Sequence, residues 1–290
     1  MALGAESASI RRPTQDTQII AVRNGSVMTR PDSLATEEPM EIRIRGHNQE
    51  PVPITTTMRT PGNDFELAAG LLFSEGILAS REDIRTIRYC DNVADKDQMF
   101  NVVTVELTGD YDDSQRQRSF ISTSACGVCG TTAIEDLSLK CPYVASQLTI
   151  EIQTLLEIPG LLRRSQKLFS RTGGLHCAGV FDKDGRLESI REDIGRHNAL
   201  DKVIGHFFLK KQLPLSDRIL GLSGRIGFEL VQKAAMAQIP IIVAISAPSS
   251  LAVKTAESLG VTLVGFTHDS SANIYTHAER IKLPLASSIH

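Results

Sequence analysis

Residues 218–266 read RILGLSGRIGFELVQKAAMAQIPIIVAISAPSSLAVKTAESLGVTLVGF. Short apolar runs rich in Ile and Val alternate there with longer segments of helical spacing. The pattern predicts strands over 218–222, 240–245 and 261–266, with helices over 228–238 and 249–259 between them. A strand followed by a helix and another strand requires a crossover connection, so these elements are expected in a largely parallel sheet sandwiched by helices. Working upstream, 175–181 and 187–192 read as a hairpin turning on Asp182-Lys183-Asp184-Gly185, and 197–208 as a helix. Residues 175–290 are therefore expected to form a C-terminal three-layer α/β domain.

The first half has a different texture. Residues 1–18 are polar and aperiodic and are expected to be a disordered tail. Glu41-Ile42-Arg43-Ile44-Arg45 alternates strictly, as a half-buried strand does, and 52–58 is β-branched and expected to pair with it, Pro53 placing it at an edge or strand start. Pro61-Gly62-Asn63-Asp64-Phe65-Glu66 reads as a helix start, Asn63 capping and Glu66 completing a capping box. The apolar helix 64–74 follows, with Gly76 to close it. A strand over 102–107 and a charged, solvated tip over 110–118 lead to a Ser/Gly-rich loop. Residues 19–130 are thus expected to be a smaller α+β domain. Residues 131–174 are expected to be a helical connector, with helices over 131–140 and 159–171.

At 290 residues the chain is long enough for two domains, and a net charge of −3 gives no general reason to expect nucleic acid or an anionic membrane as partner. Arg11-Arg12 is not followed by an apolar run, and no window is apolar enough to span a bilayer, so a cytoplasmic protein is expected. Five cysteines, Cys90, Cys126, Cys129, Cys141 and Cys177, are too few and too scattered for a disulfide scaffold.

Two constellations carry chemistry. Ser122-Thr123-Ser124-Ala125-Cys126-Gly127-Val128-Cys129-Gly130 presents two thiols among residues too small to pack a core. Such a pair could be half of a zinc site, a dithiol redox pair, or a sulfur carrier whose thiolate accepts a persulfide sulfur while the second thiol releases or relays it. Three strand-to-helix junctions make the second: Asp193-Ile194-Gly195-Arg196-His197-Asn198, Ser223-Gly224-Arg225-Ile226-Gly227 and Ser246-Ala247-Pro248-Ser249-Ser250. Each offers helix N-terminal N–H groups at the carboxyl end of a strand, and Arg196 and Arg225 add forked donors, which together suit a phosphorylated, nucleotide-like ligand. His176, His197, Asp193 and Glu192 have the chemistry of acid–base groups, although Arg196-His197 at a helix start reads better as a ligand contact.

Together with Arg59-Thr60-Pro61-Gly62-Asn63-Asp64, Thr172-Gly173-Gly174-Leu175-His176, the run Glu192 to Lys202 and Phe228-Glu229-Leu230-Val231-Gln232-Lys233, these motifs resemble the formate dehydrogenase accessory sulfurtransferases of the FdhD type. The resemblance covers nearly all the chain beyond the first few dozen residues. It implies a sulfur carrier, in effect a sulfurtransferase, that takes persulfide sulfur from a cysteine desulfurase on Cys126, with Cys129 as the second thiol. The sulfur passes to the molybdenum bis-molybdopterin guanine dinucleotide cofactor required by formate dehydrogenase. It also implies a homodimer and a second domain similar to the cytidine deaminase fold, able to hold a guanine nucleotide. By that likeness the cofactor-binding residues are Gly174, His176, Asp193, Arg196, His197, Ser223, Gly224, Arg225, Ser246, Ala247, and the segment Phe266-Thr267-His268-Asp269-Ser270-Ser271. Relatives often carry arginine at the place of His268 and alanine at that of Cys177, a bystander. The deaminase zinc cysteines are absent from the corresponding helix starts, so no bound metal and no deamination are expected. The alternatives are a cofactor-binding chaperone without catalysis and a zinc-binding scaffold.

Overall fold

A computed structural model describes residues 12–90, 100–112 and 141–284. The cysteine loop with Cys126 and Cys129, and the helix expected over 131–140, lie outside the described residues.

The chain enters as an antiparallel hairpin of β1 (Thr14–Arg23) and β2 (Ser26–Ala35). It turns on Asn24-Gly25, both at positive φ as a two-residue hairpin turn requires. The tail expected over 1–18 therefore gives way to a strand at Thr14. Polar residues crowd the start of β1, and most of the strand is exposed, so its alternation carries little hydrophobic signal. Next, β3 (Glu38–Arg45), β4 (Val52–Arg59), β5 (Ile84–Tyr89) and β6 (Val102–Leu107) form a sheet of order β4-β3-β6-β5. Met40, Ile42 and Ile44 are fully buried on one face while the charged residues between them point away. Pro53 is tolerated because β4 is an edge strand.

The buried face is covered by α1 (Asp64–Ser74), whose Leu67, Ala68, Ala69 and Leu72 are fully buried. Its start differs from expectation. Asn63 is left-handed and makes no side-chain cap; the Asp64 carboxylate instead accepts from the Gly62 N–H at 3.1 Å. Glu66 turns away from the helix start to bind Arg191 and His206, so no capping box forms. Gly76, at φ 75°, follows the helix end as expected.

The second half contains β7 (Ile150–Glu151), α2 (Ile152–Ser165), α3 (Lys167–Thr172), β8 (His176–Phe181), β9 (Leu187–Asp193), α4 (Arg196–Leu209), β10 (Ile219–Leu222), α5 (Phe228–Met236), β11 (Ile241–Ala244), α6 (Ser250–Leu259), β12 (Thr262–His268), β13 (Ser271–Ile274) and β14 (Ile281–Lys282). The helix expected over 159–171 is two: α2 starts at Ile152 and carries Pro159 within it, and the break comes at Gln166. Pro159 sits beside the buried stripe Leu155, Ile158 and Leu162, whose burial outweighs the hydrogen bond that a proline forfeits.

The main sheet runs β13-β12-β11-β10-β8-β9. Only β10/β11 and β11/β12 pair in parallel; β8/β9, β8/β10 and β12/β13 are antiparallel. The sheet is thus mixed, with a parallel centre, rather than largely parallel: β8 belongs to a hairpin and enters against β10. Alternation splits its side chains between two layers. Cys177, Ile219, Ile241, Val243 and Val264 face α2, whereas Ala178, Leu220, Leu222, Ile242, Ala244 and Leu263 face the layer of α4, α5 and α6.

The two halves share a continuous hydrophobic cluster running from Met40 and Ile42 through α1 and α4 to Leu220 and Leu263. Helices α1 and α4 touch at the backbone: a Cβ added to Gly70 would lie 1.9 Å from the Asp201 carbonyl oxygen, and one added to Gly205 would lie 1.8 Å from that of Glu66. No side chain can enter such a contact without separating the helices. Gly205→Ala is expected to destabilise the protein by about 3 kcal/mol or more, at the top of the overpacking range, as measured by urea unfolding. Gly25→Ala, with open space at its Cβ position, is expected to cost less even though its φ is positive.

Candidate functional site

Strand direction brings the predicted residues to one edge of the main sheet. Strands β10, β11 and β12 end there, β8 begins there and β9 ends there, so that His176 pairs with Asp193 and Leu222 with Ala178 and Ala244. Gly174 and His176, Asp193, Arg196 and His197, Ser223 to Arg225, Ser246 and Ala247, and Phe266 to Ser271 thus all lie along this edge. Helices α4, α5 and α6 start from it, and their N-terminal N–H groups favour negative charge.

The loops at this edge are tied to one another. The Cys177 N–H donates to Ser223 Oγ at 2.9 Å, the Ile226 N–H to the Ala247 carbonyl at 3.1 Å, the Ser249 N–H to the Ile226 carbonyl at 2.9 Å and the Phe266 N–H to the Ser246 carbonyl at 3.3 Å. Gly224 admits the neighbouring ring: a Cβ there would sit 3.1 Å from His176 Nδ1 and 3.8 Å from Arg196 Cδ. Gly265 does the same for Pro248, whose Cδ would lie 2.9 Å from an added Cβ. Beyond Gly265 the β12/β13 register slips, and Phe266 stands at φ 50° with its side chain exposed. An aromatic residue held left-handed and facing solvent is strained and unburied, as residues at binding sites often are.

Positive charge collects here, and the acid beside it, Glu229, is engaged by His197. Among the described residues Arg196 has no hydrogen bond or ion pair, and its Nε is buried. Arg225 is exposed and equally unpaired. Thr267 is fully buried and, among the described residues, its hydroxyl has no partner. A buried donor without a partner is costly, so these orphaned atoms fit a ligand rich in acceptor oxygens. Burial lowers the pKa of His176, and the nearby Arg196 and His197 lower it further, keeping the ring neutral at pH 7. His197 Nε2 lies 2.7 Å from Glu229 Oε2, and this hydrogen bond holds the Glu229 carboxyl below its usual pKa. Cys177 lies beneath the site. Burial pushes its thiol up to about 12, too high for a nucleophile at neutral pH.

One predicted ligand contact has another job. Asp193 is fully buried; it pairs with Lys202 Nζ at 2.6 Å and accepts from the Thr60 and Gly195 N–H groups and from Asn198 Nδ2. With its oxygens committed inside the protein, Asp193 supports the site from below and has none left over for a ligand. Lys202 Nζ also donates to the Thr60 carbonyl at 2.8 Å, and Asn198 Nδ2 to the Met58 carbonyl at 2.7 Å, so this network fastens the end of β4 to the start of α4. Lys202, Asn198, Thr60 and Glu229 were not among the predicted site residues. The available signal was polar residues on a helix otherwise buried, Asn198, Asp201 and Lys202 beside Leu200 and Val203. Glu192, a predicted acid–base candidate, instead accepts the N–H groups of Leu168 and Phe169 at the start of α3. Among the described residues no group of three or more His, Cys, Asp or Glu could hold a metal ion, and no helix is long and apolar enough to cross a membrane.

Residues 35–282 match the model of the FdhD/NarQ family. The chain is 48% identical over 263 residues to a protein of Mycobacterium tuberculosis named sulfur carrier protein FdhD, covering 88% of this chain and 94% of that one. A Streptomyces coelicolor protein of the same name is 45% identical over 281 residues, covering 95% and 98%. A solved structure from Desulfotalea psychrophila, described as a candidate formate dehydrogenase accessory protein, superposes with a TM-score of 0.74 at 24% identity, covering 93% of this chain and 100% of that one. That likeness supports the mixed α/β fold.

The Asp193–Lys202 pair makes a direct test of the support beneath the site. Asp193→Asn leaves the buried Lys202 ammonium without its counter-charge and is expected to cost ~3–5 kcal/mol in urea unfolding. The double variant Asp193→Asn/Lys202→Met, with no stranded charge, is expected to regain part of that loss.

Proposed function

The chain belongs to the FdhD/NarQ family, and on that premise we propose that it is a sulfur carrier serving a molybdenum-dependent formate dehydrogenase. In this reading the Cys126 thiolate attacks the outer sulfur of a cysteine desulfurase persulfide. The desulfurase cysteine leaves as a thiolate, and Cys126 becomes the persulfide. The Cys129 thiolate then attacks the Cys126 sulfur, forming a Cys126–Cys129 disulfide and releasing hydrosulfide to the molybdenum bis-molybdopterin guanine dinucleotide cofactor. A thiol reductant restores the pair. The protein acts as a sulfurtransferase in the cytoplasm, as a homodimer.

The observation that carries the reading is the 48% identity to a named sulfur carrier over most of both chains. The edge of the main sheet suits the cofactor as cargo. Arg196, Arg225 and the helix starts would meet its phosphates, the Thr267 hydroxyl would gain a partner, and Phe266 offers an exposed aromatic face to a base. His176, neutral, would donate or accept one hydrogen bond there without adding charge. His268, exposed beside Phe266, offers a further polar contact.

Incubation with a desulfurase and cysteine, followed by peptide mass spectrometry, is expected to add one sulfur atom to the peptide bearing Cys126. Cys126→Ala is expected to abolish the addition. Sulfur recovered on a different cysteine, or full formate dehydrogenase activity in cells carrying only Cys126→Ala, would refute the assignment.

A further inference from the structure

Glu229 is an acid placed among cations. It occupies the first turn of α5 and takes the Nε2 hydrogen of His197, in the first turn of α4, at 2.7 Å. A carboxylate beside an anion site opposes anion binding unless it serves another group. Its bonding pattern says which: the His197 side chain is 32% exposed, and among the described residues Glu229 is its one hydrogen-bonding partner. From this we infer that Glu229 is a positioning residue for His197, committing Nε2 and leaving Nδ1 as the ring atom that meets an oxygen of an anionic ligand, the diphosphate of a nucleotide.

The inference rests on the reading of this edge as a nucleotide site. With Nε2–H spent on Glu229, a neutral ring has a bare lone pair at Nδ1, and an imidazolium has a hydrogen there. A diphosphate oxygen accepts and cannot donate, so contact with Nδ1 requires the second hydrogen. His176 on β8 and Glu229 on α5 lie beside the ring, and Glu229 in turn feels the positive charge of Lys233 and Arg196. Lys233 is itself held by Asp201 at 2.9 Å and approached by Glu75 at 3.8 Å, which leaves Glu229 free to serve His197.

Imidazole nitrogen NMR on the free protein tests the positioning without any ligand. His197 is expected as the single Nε2–H tautomer in the wild type and as a tautomer mixture in Glu229→Ala. The single tautomer should return in Glu229→Gln, whose amide oxygen still accepts. Guanosine diphosphate binding by calorimetry then tests the contact. Glu229→Ala is expected to bind about tenfold more weakly than the wild type, as for one lost charge-assisted hydrogen bond. Wild-type tautomer and affinity in Glu229→Ala would overturn the positioning role. Wild-type affinity in Glu229→Ala together with a lost single tautomer would overturn the Nδ1 contact. If the wild type does not bind guanosine diphosphate at all, the nucleotide reading falls together with that contact, and the tautomer result alone decides whether Glu229 orients the ring.

Discussion

The crossing of α1 and α4 without intervening side chains constrains everything else in the molecule. Gly70 faces the carbonyl of Asp201 and Gly205 faces that of Glu66 at distances only hydrogen can occupy. With the helices this close, polar side chains a turn away reach across the seam. Ser74 Oγ donates to Asp201 Oδ1 at 3.0 Å, and Glu66 takes Arg191 and His206 as partners. Widening the gap by the width of a methyl group would pull each of these bonds beyond its working distance.

The same seam positions the sheet edge. Lys202 and Asn198, on α4, hold Asp193 and the backbone of Met58 and Thr60, and Arg59 pairs with Asp64 at 2.9 Å although its side chain is fully buried. The start of α4, with Arg196 and His197, is therefore fixed by buried bonds from the other half of the chain, and the Arg196 guanidinium, unpaired among the described residues, is left for other work. Buried charge pairs of this kind contribute little net stability against an apolar alternative, but they are intolerant of losing one member, so they specify one arrangement. Loops tied backbone to backbone beside them, at Ile226 and Ala247, extend that rigidity across the edge.

Much of this was legible in the residues. Stretches of strong periodicity, such as 241–244 and the apolar helix 64–74, appear where the pattern puts them, because burial on one or both faces leaves a direct imprint on hydrophobicity. The convergence of Ser223, Ser246 and Arg196 on one edge followed from strand order alone. Three features were harder to read. The hairpin at Thr14–Arg23 is mostly exposed and so lacks a hydrophobic signature. The antiparallel entry of β8 depends on which neighbour a strand chooses, a long-range matter that local spacing does not encode. The internal bonds of Asp193 were hidden for a related reason: its partners Lys202 and Thr60 lie nine and 133 residues away in sequence, and only folding shows that its oxygens are engaged by them.

The glycine contact also limits how this chain can exchange parts with its relatives. Helix α1 and helix α4 are more than a hundred residues apart, yet each is shaped to the bare backbone of the other. A hybrid joined anywhere between them inherits its two surfaces from different parents. It fits together only if both parents kept glycine at the crossing, so in recombination the two helices behave as a single inherited unit.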